Sequence, residues 1–187
     1  MAEETEILME GLVANLSSAR RRVRQDAAHE IALRAHEDPE QMVPYIGQLV
    51  EALDHTEAQT RWEVLDVLTL LAEGHADLVA DACEGAEAAL FDETSSAVRL
   101  AAFRFLAAYG KTSPERSDAV WGLIDEAIQC YHGDLEFQDM LNAVVNFSAG
   151  KLSASVREQL LARMAFDAEN GKGALGRKAQ TIIANLQ

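Results

Sequence analysis

DETSSAVRLAAFRFLAAY, from Asp92 to Tyr109, joins a polar turn to a Val-Arg pair at Val98 and Arg99. A small-residue stretch follows whose apolar positions fall three and four apart, the spacing of a helix with one buried face. Two earlier stretches share the plan: SSARRRVRQDAAHEIALRA, Ser17 to Ala35, and DHTEAQTRWEVLDVLTLLA, Asp54 to Ala72. Arg24 precedes Arg61 by 37 residues, and Arg61 precedes Arg99 by 38. A period in that range marks stacked helical hairpins, each burying its apolar face on the next.

Working outward, the pattern extends over the 187 residues as about five hairpins and about ten helices. Their expected bounds are 4–36, 38–74, 75–110, 113–150 and 153–187, within one domain. The fourth copy is degenerate: Phe137 stands at the valine position and Gln138 at the arginine position. In that copy the seam is expected to run through Phe137, Leu141, Val144 and Val145. The third outer helix is expected from His75 to Leu90, with Leu78, Val79, Ala82, Cys83, Ala86 and Leu90 inward. The first is expected to bury Ile7, Leu8, Leu12 and Val13. Pro39, Pro44 and Pro114 all fall near expected helix starts, where proline is tolerated. Apolar residues make up 49% of the chain and aromatics 6%, with Ala and Leu dominant, which suits close-packed helices over sheets.

A formal charge of -15 argues against wrapping a phosphate backbone or lying on an anionic membrane. Cys83 and Cys130 are 47 residues apart with no CxxC or Cys/His cluster around them, and are expected as buried free thiols. The opening MAEETEILMEG has no basic region followed by an apolar one, so no signal peptide is expected. No apolar run is long enough to span a membrane, and a cytoplasmic location is expected.

Outer helix, polar turn, Val-Arg, paired alanines and an aliphatic residue three further on resemble the HEAT repeat. The matches are VRQDAAHEI at Val23 to Ile31 and VRLAAFRFL at Val98 to Leu106; the second copy has Thr60 in place of valine. The resemblance covers nearly the whole chain and implies an all-α, right-handed superhelix of the HEAT or armadillo type. Asp54 precedes Arg61 by seven residues, as Asp92 precedes Arg99. This resembles the Asp-Arg ladder of HEAT repeats, and it implies structural roles for Arg24, Asp54, Arg61, Asp92 and Arg99.

The resemblance also implies a non-catalytic scaffold whose second helices line a concave, protein-binding surface. Residues placed 100° apart and opposite the seam give the stripe each second helix presents there. It comprises Arg22, Asp26, His29, Leu33 and His36 in the first repeat, and Gln59, Glu63, Asp66, Leu70 and Glu73 in the second. The third presents Ala97, Ala101, Arg104, Ala108 and Lys111; the fourth presents Glu136, Met140, Ala143 and Phe147. The acidic row Glu63, Asp66 and Glu73 with Trp62 at its edge, together with Arg104 and an apolar face at Met140 and Phe147, forms the candidate groove. Its expected ligand is a protein with a basic or amphipathic segment.

HEAT-like deoxyhypusine hydroxylases hold iron with several His-Glu pairs on successive helices, but the positions equivalent to His29-Glu30 on the later helices are Asp66-Val67, Arg104-Phe105 and Ala143-Val144. Too few ligands converge for that site, so no metal or cofactor is expected. HEAT-like DNA glycosylases use a basic concave face; here the basic cluster is Arg20 to Arg24, against an acidic second repeat. It is expected to neutralise the acidic first helix or meet an acidic partner. No Gly-rich phosphate loop, GxSxG or HExxH occurs. The alternatives to a scaffold are an enzyme or chromophore-lyase-associated HEAT-like protein, and self-assembly through the Met140 and Phe147 face. The chain is expected as a monomer or homodimer.

Overall fold

A computed structural model describes the backbone of residues 2–187 and the side chains of residues 7–187. Among these residues there are helices and turns and no strand. The α-helices are α1 (Ala2–Asn15), α2 (Arg21–Glu37), α3 (Ile46–Glu51), α4 (Ala58–Leu71) and α5 (Ala82–Leu90). They continue with α6 (Ser96–Gly110), α7 (Pro114–Tyr131), α8 (Phe137–Ser148), α9 (Ala154–Asn170) and α10 (Gly173–Leu186).

Local chemistry explains several starts. Ser113 accepts from the Arg116 amide and Pro114 occupies the first helical position, where its missing N–H costs nothing. Ser153 caps α9 in the same manner through the Val156 amide. The second outer segment is not one helix. It runs as a 3₁₀ turn (Pro39–Tyr45), then α3, then a second 3₁₀ turn (Ala52–Asp54). Pro44 sits inside the first of these, and a proline there can neither donate to an α-ladder nor leave room for one. The third outer helix is also shorter than expected: α5 begins at Ala82. Residues 75–81 close tight turns in which the Leu78 amide donates to the His75 carbonyl and the Ala82 amide to Val79. Those turns bury Val79 and leave Leu78 54% exposed, so Leu78 does not join the seam.

Two compact units are present, Met1–Ala102 and Phe103–Gln187, and the division falls within α6. In the first, Ile31, Met42, Leu49, Leu65, Leu68 and Leu90 are fully buried. Each such side chain contributes about 1.5–3 kcal/mol of transfer free energy. α1 contributes Met9 and Val13, and the turn after it Leu16, while Ile7 and Leu8 are exposed.

In the second unit the core is built on Phe103, Phe105, Phe137, Leu160 and Ile182. Trp121 lies parallel to Phe147, with ring centroids 6.4 Å apart and planes within 6°. Gly110 ends α6 against the same place: a Cβ there would stand 2.4 Å from Val120 Cγ2 and 3.0 Å from Phe147 Cε2.

This packing corrects the expected face of α8. Met140 and Phe147 are both 0% exposed. Phe137, Met140, Leu141, Val144, Phe147 and Ser148, at positions 0, 3, 4, 7, 10 and 11 of the helix, form the buried stripe. Val145, expected inside, is only half-buried. Phe137, Leu141 and Val144 are buried as expected; the seam is centred nearer Met140 and Phe147, so of the adjacent valines only Val144 marks it. Likewise Ala101 and Ala108, placed outward on α6, are buried.

Candidate binding face and arginine ladder

The arginines of the Val-Arg pairs stand at junctions between repeats. Arg61 Nη1 donates to Asp92 Oδ2 at 2.6 Å, and both side chains are about 85% buried. Arg99 Nη1 donates to the Asp92 carbonyl at 2.8 Å. Asp92 is further held by the Thr94 hydroxyl at 2.7 Å and by the Thr94 and Ser95 amides. These bonds, led by the Thr94 hydroxyl and reinforced by Arg61, outweigh burial and bring the Asp92 carboxyl down to about 2.

One rung uses a different acid from the one expected. Arg24 pairs with Glu57, while Asp54 is exposed. Arg24 Nη1 also donates to the Ser18 carbonyl, at 2.6 Å, tying the turn before α2 to the start of α4. Glu57 is 4% exposed; burial pushes its carboxyl up, but its own backbone amide and then Arg24 hold it below the ordinary range. The sequence signal for Glu57 was its place immediately before α4, four residues ahead of Arg61.

On the outward side of α2 and α4, histidines link neighbouring repeats. His29 Nδ1 lies 2.9 Å from Glu63 Oε1, and His36 Nε2 lies 2.6 Å from Asp66 Oδ2. Asp66 is 36% exposed and Glu63 only 14%. Leu33 and Leu70 flank these pairs at 51% and 37% exposure. Trp62 is half-buried and Glu73 exposed. The first unit therefore presents two carboxylates held by histidines, with two bare leucines on the same helices. The histidine contacts span 30 and 34 residues, so no local pattern announces them.

Of the other candidates, Arg104 is exposed on α6 within the second unit. Met140 and Phe147 are core and leave the candidate set. His29 and Glu30 do not converge, because Glu30 pairs with Arg34 at 3.0 Å on its own helix. Among the described residues no three His, Cys, Asp or Glu side chains gather where they could hold a metal ion. Nor is any described helix long and apolar enough to cross a membrane.

The second unit has its own junction pairs. Arg163 meets Asp125 through two bonds of 2.6 and 2.8 Å. Trp121 Nε1 donates to Gln159 at 2.9 Å, and His132 faces Asp167 at 3.1 Å.

No family model matches this chain, and no curated protein sequence does. Solved structures do match. A Northeast Structural Genomics Consortium engineered protein superposes with a TM-score of 0.77 at 20% identity, over 95% of this chain and 78% of its own. The designed armadillo repeat protein YIII(Dq)4CqI gives 0.75 at 17% identity, over 94% and 81%.

The chain folds as a HEAT/armadillo-type α-solenoid.

A second designed armadillo repeat protein, YIII(Dq.V1)4CPAF, solved in complex with the peptide (KR)4, gives 0.77 at 17% identity, over 94% and 80%. At these identities the solenoid likeness concerns the path of the backbone.

Proposed function

We propose that this solenoid is a non-catalytic binding scaffold, and that the second-helix face of α2 and α4 takes a segment carrying Lys or Arg. The observation that carries the reading is the row His29, Glu63, His36 and Asp66 beside Leu33 and Leu70. A carboxylate that accepts one imidazole N–H has lone pairs left for a guanidinium or ammonium donor. The exposed leucines provide apolar contact for the stem of such a side chain or for an amphipathic helix. Glu73 extends the acidic row, and Trp62 supplies an aromatic edge to it. The (KR)4 ligand of the designed armadillo protein is likewise basic, which supports the choice of charge. Arg104, exposed on the second unit, is not part of this proposal. Free thiols at Cys83 and the exposed Cys130 suit a reducing, cytoplasmic setting.

The test is a Trp62 fluorescence titration with Lys/Arg-rich and with Asp/Glu-rich peptides of equal length. Saturable binding of the basic peptides alone supports the reading. Equal response to both charges, or to neither, counts against it.

A further inference from the structure

The two carboxylates that α4 contributes to the α2–α4 face are each bonded to a side chain that can itself become a cation. His29 Nδ1 lies 2.9 Å from Glu63 Oε1, and His36 Nε2 lies 2.6 Å from Asp66 Oδ2. The two histidine side chains are 56% and 54% exposed, so protons reach both rings from solvent without any opening of the fold.

The other charged groups nearby are engaged elsewhere or stand apart. On α2, Arg22 and Asp26 lie before His29 and touch one another loosely at 3.7 Å. Glu30 pairs with Arg34, and Glu37 is exposed after His36. On α4, Arg61 is taken by Asp92, and Glu73 lies just past the helix end. α1 and the first 3₁₀ turn also pack on α2. Among the described side chains of α1 the acid is Glu10, which is exposed. Around the 3₁₀ turn, Glu40 meets His75, and Asp38 accepts from the Glu40 amide. Glu63 and Asp66 are therefore the acids that meet the two imidazoles.

We propose that protonation of His29 and His36 closes this face to cationic segments, so that the site is open at neutral to alkaline pH and shut in mild acid. The inference rests on the reading of the α2–α4 face given above and names its regulation. Histidine is the side chain whose charge changes between about pH 5 and 8. With neutral rings the row of His29, Glu63, His36 and Asp66 is doubly negative, and each carboxylate has lone pairs for an incoming guanidinium or ammonium. With both rings protonated the row is neutral, and each carboxylate already holds a charge-assisted bond to an imidazolium. An arriving Lys or Arg must then displace that cation or sit beside a like charge.

The sign follows from linkage. A bound cation disfavours the imidazolium, so binding expels protons and, reciprocally, protons expel the ligand. Affinity is greatest above the histidine range and is lost as pH falls through it. Lys and Arg of the ligand keep their charge throughout, so the change belongs to this face.

Calorimetric titration with the peptide (KR)4 at about pH 8 and about pH 5.5, at one ionic strength, tests the proposal. Wild-type affinity is expected to fall by about tenfold or more at the lower pH. Midway between, the binding heat should vary with the ionisation enthalpy of the buffer in the sense of proton release. In His29→Asn/His36→Gln the amide nitrogens stand near the places of Nδ1 and Nε2 and still donate, but take no charge. The ratio of that variant's two affinities should come within about twofold of unity. Equal wild-type affinity at both pH values overturns the regulation and leaves the basic-segment reading intact. No binding by wild type at the higher pH overturns that reading and this one with it. His55, His75 and His132 remain in the double variant, so an acid loss that persists there also overturns the proposal.

Discussion

Arg61 and Asp92 meet at 2.6 Å across 31 residues of sequence, joining the second repeat to the third. Asp92 also accepts from Thr94 and Ser95, so one carboxylate organises both the turn before α6 and the junction behind it. Its folded value of about 2 lies below the unfolded value of 3.8. A depressed carboxylate contributes stability above its unfolded value, and that contribution is lost as pH falls from 3.8 through 2. The difference corresponds to about 2 kcal/mol. Asp92→Asn should lower the urea-unfolding free energy at neutral pH by that order, and should flatten the stability curve between those pH values. A mutant curve as steep as the wild type's would place the acid sensitivity elsewhere.

Gly110 is a point of close approach between α6, α7 and α8. Gly110→Ala gains roughly 1 kcal/mol of helix propensity but forces a methyl to within 2.4 Å of Val120 Cγ2. Valine is stiff at χ1 and buried, so overpacking should win and the net effect should be destabilising by about 1–3 kcal/mol. Combining it with Val120→Ala should recover part of that loss, a coupling visible in a double-mutant cycle of melting curves. Simple additivity of the two losses would mean that the helices part freely.

Met140 and Phe147 provide a contrast with the surface leucines. Met140→Ala or Phe147→Ala should cost about 2–5 kcal/mol as cavities open in a close-packed core. Leu33→Ala and Leu70→Ala should stay within about 0.5 kcal/mol of wild type. Parallel thermal melts of the four variants would separate core from surface directly.

The thiols divide in the same way. Burial, with Asp81 nearby, pushes Cys83 up to about 11, whereas Cys130 is exposed on α7. Iodoacetamide at mildly alkaline pH should therefore label Cys130 in the native protein and Cys83 only after unfolding, because the thiolate is the reactive species. Peptide mass mapping would show it; rapid native labelling of Cys83 would mean that the α5 region opens readily.

How far the sequence could be read follows from which interactions are local. Hairpin period, Ser-Pro caps and the alanine-rich seams depend on neighbours within one or two turns, and these are legible. The outer segments at 39–54 and 75–81 are less regular than their apolar spacing implies; in the first, Pro44 interrupts the α-ladder. On α8 the expected seam holds at Phe137, Leu141 and Val144, but packing extends it to Met140 and Phe147 and leaves Val145 half-buried. The rungs from Arg24 to Glu57 and from His29 to Glu63 join residues more than 30 apart. Such contacts depend on how one repeat rests on the next, which residue spacing within a repeat does not record.

The central claim, that acids held by histidines on α2 and α4 receive a basic segment, is most directly tested by calorimetric titration with the peptide (KR)4. Wild type should bind it with a heat that weakens as salt rises. Glu63→Lys/Asp66→Lys should lose at least tenfold in affinity while keeping its helical circular dichroism, since close charge pairs carry 1 kcal/mol or more at such sites. Undiminished binding by the folded double variant, or no binding by wild type, would contradict the assignment of this face.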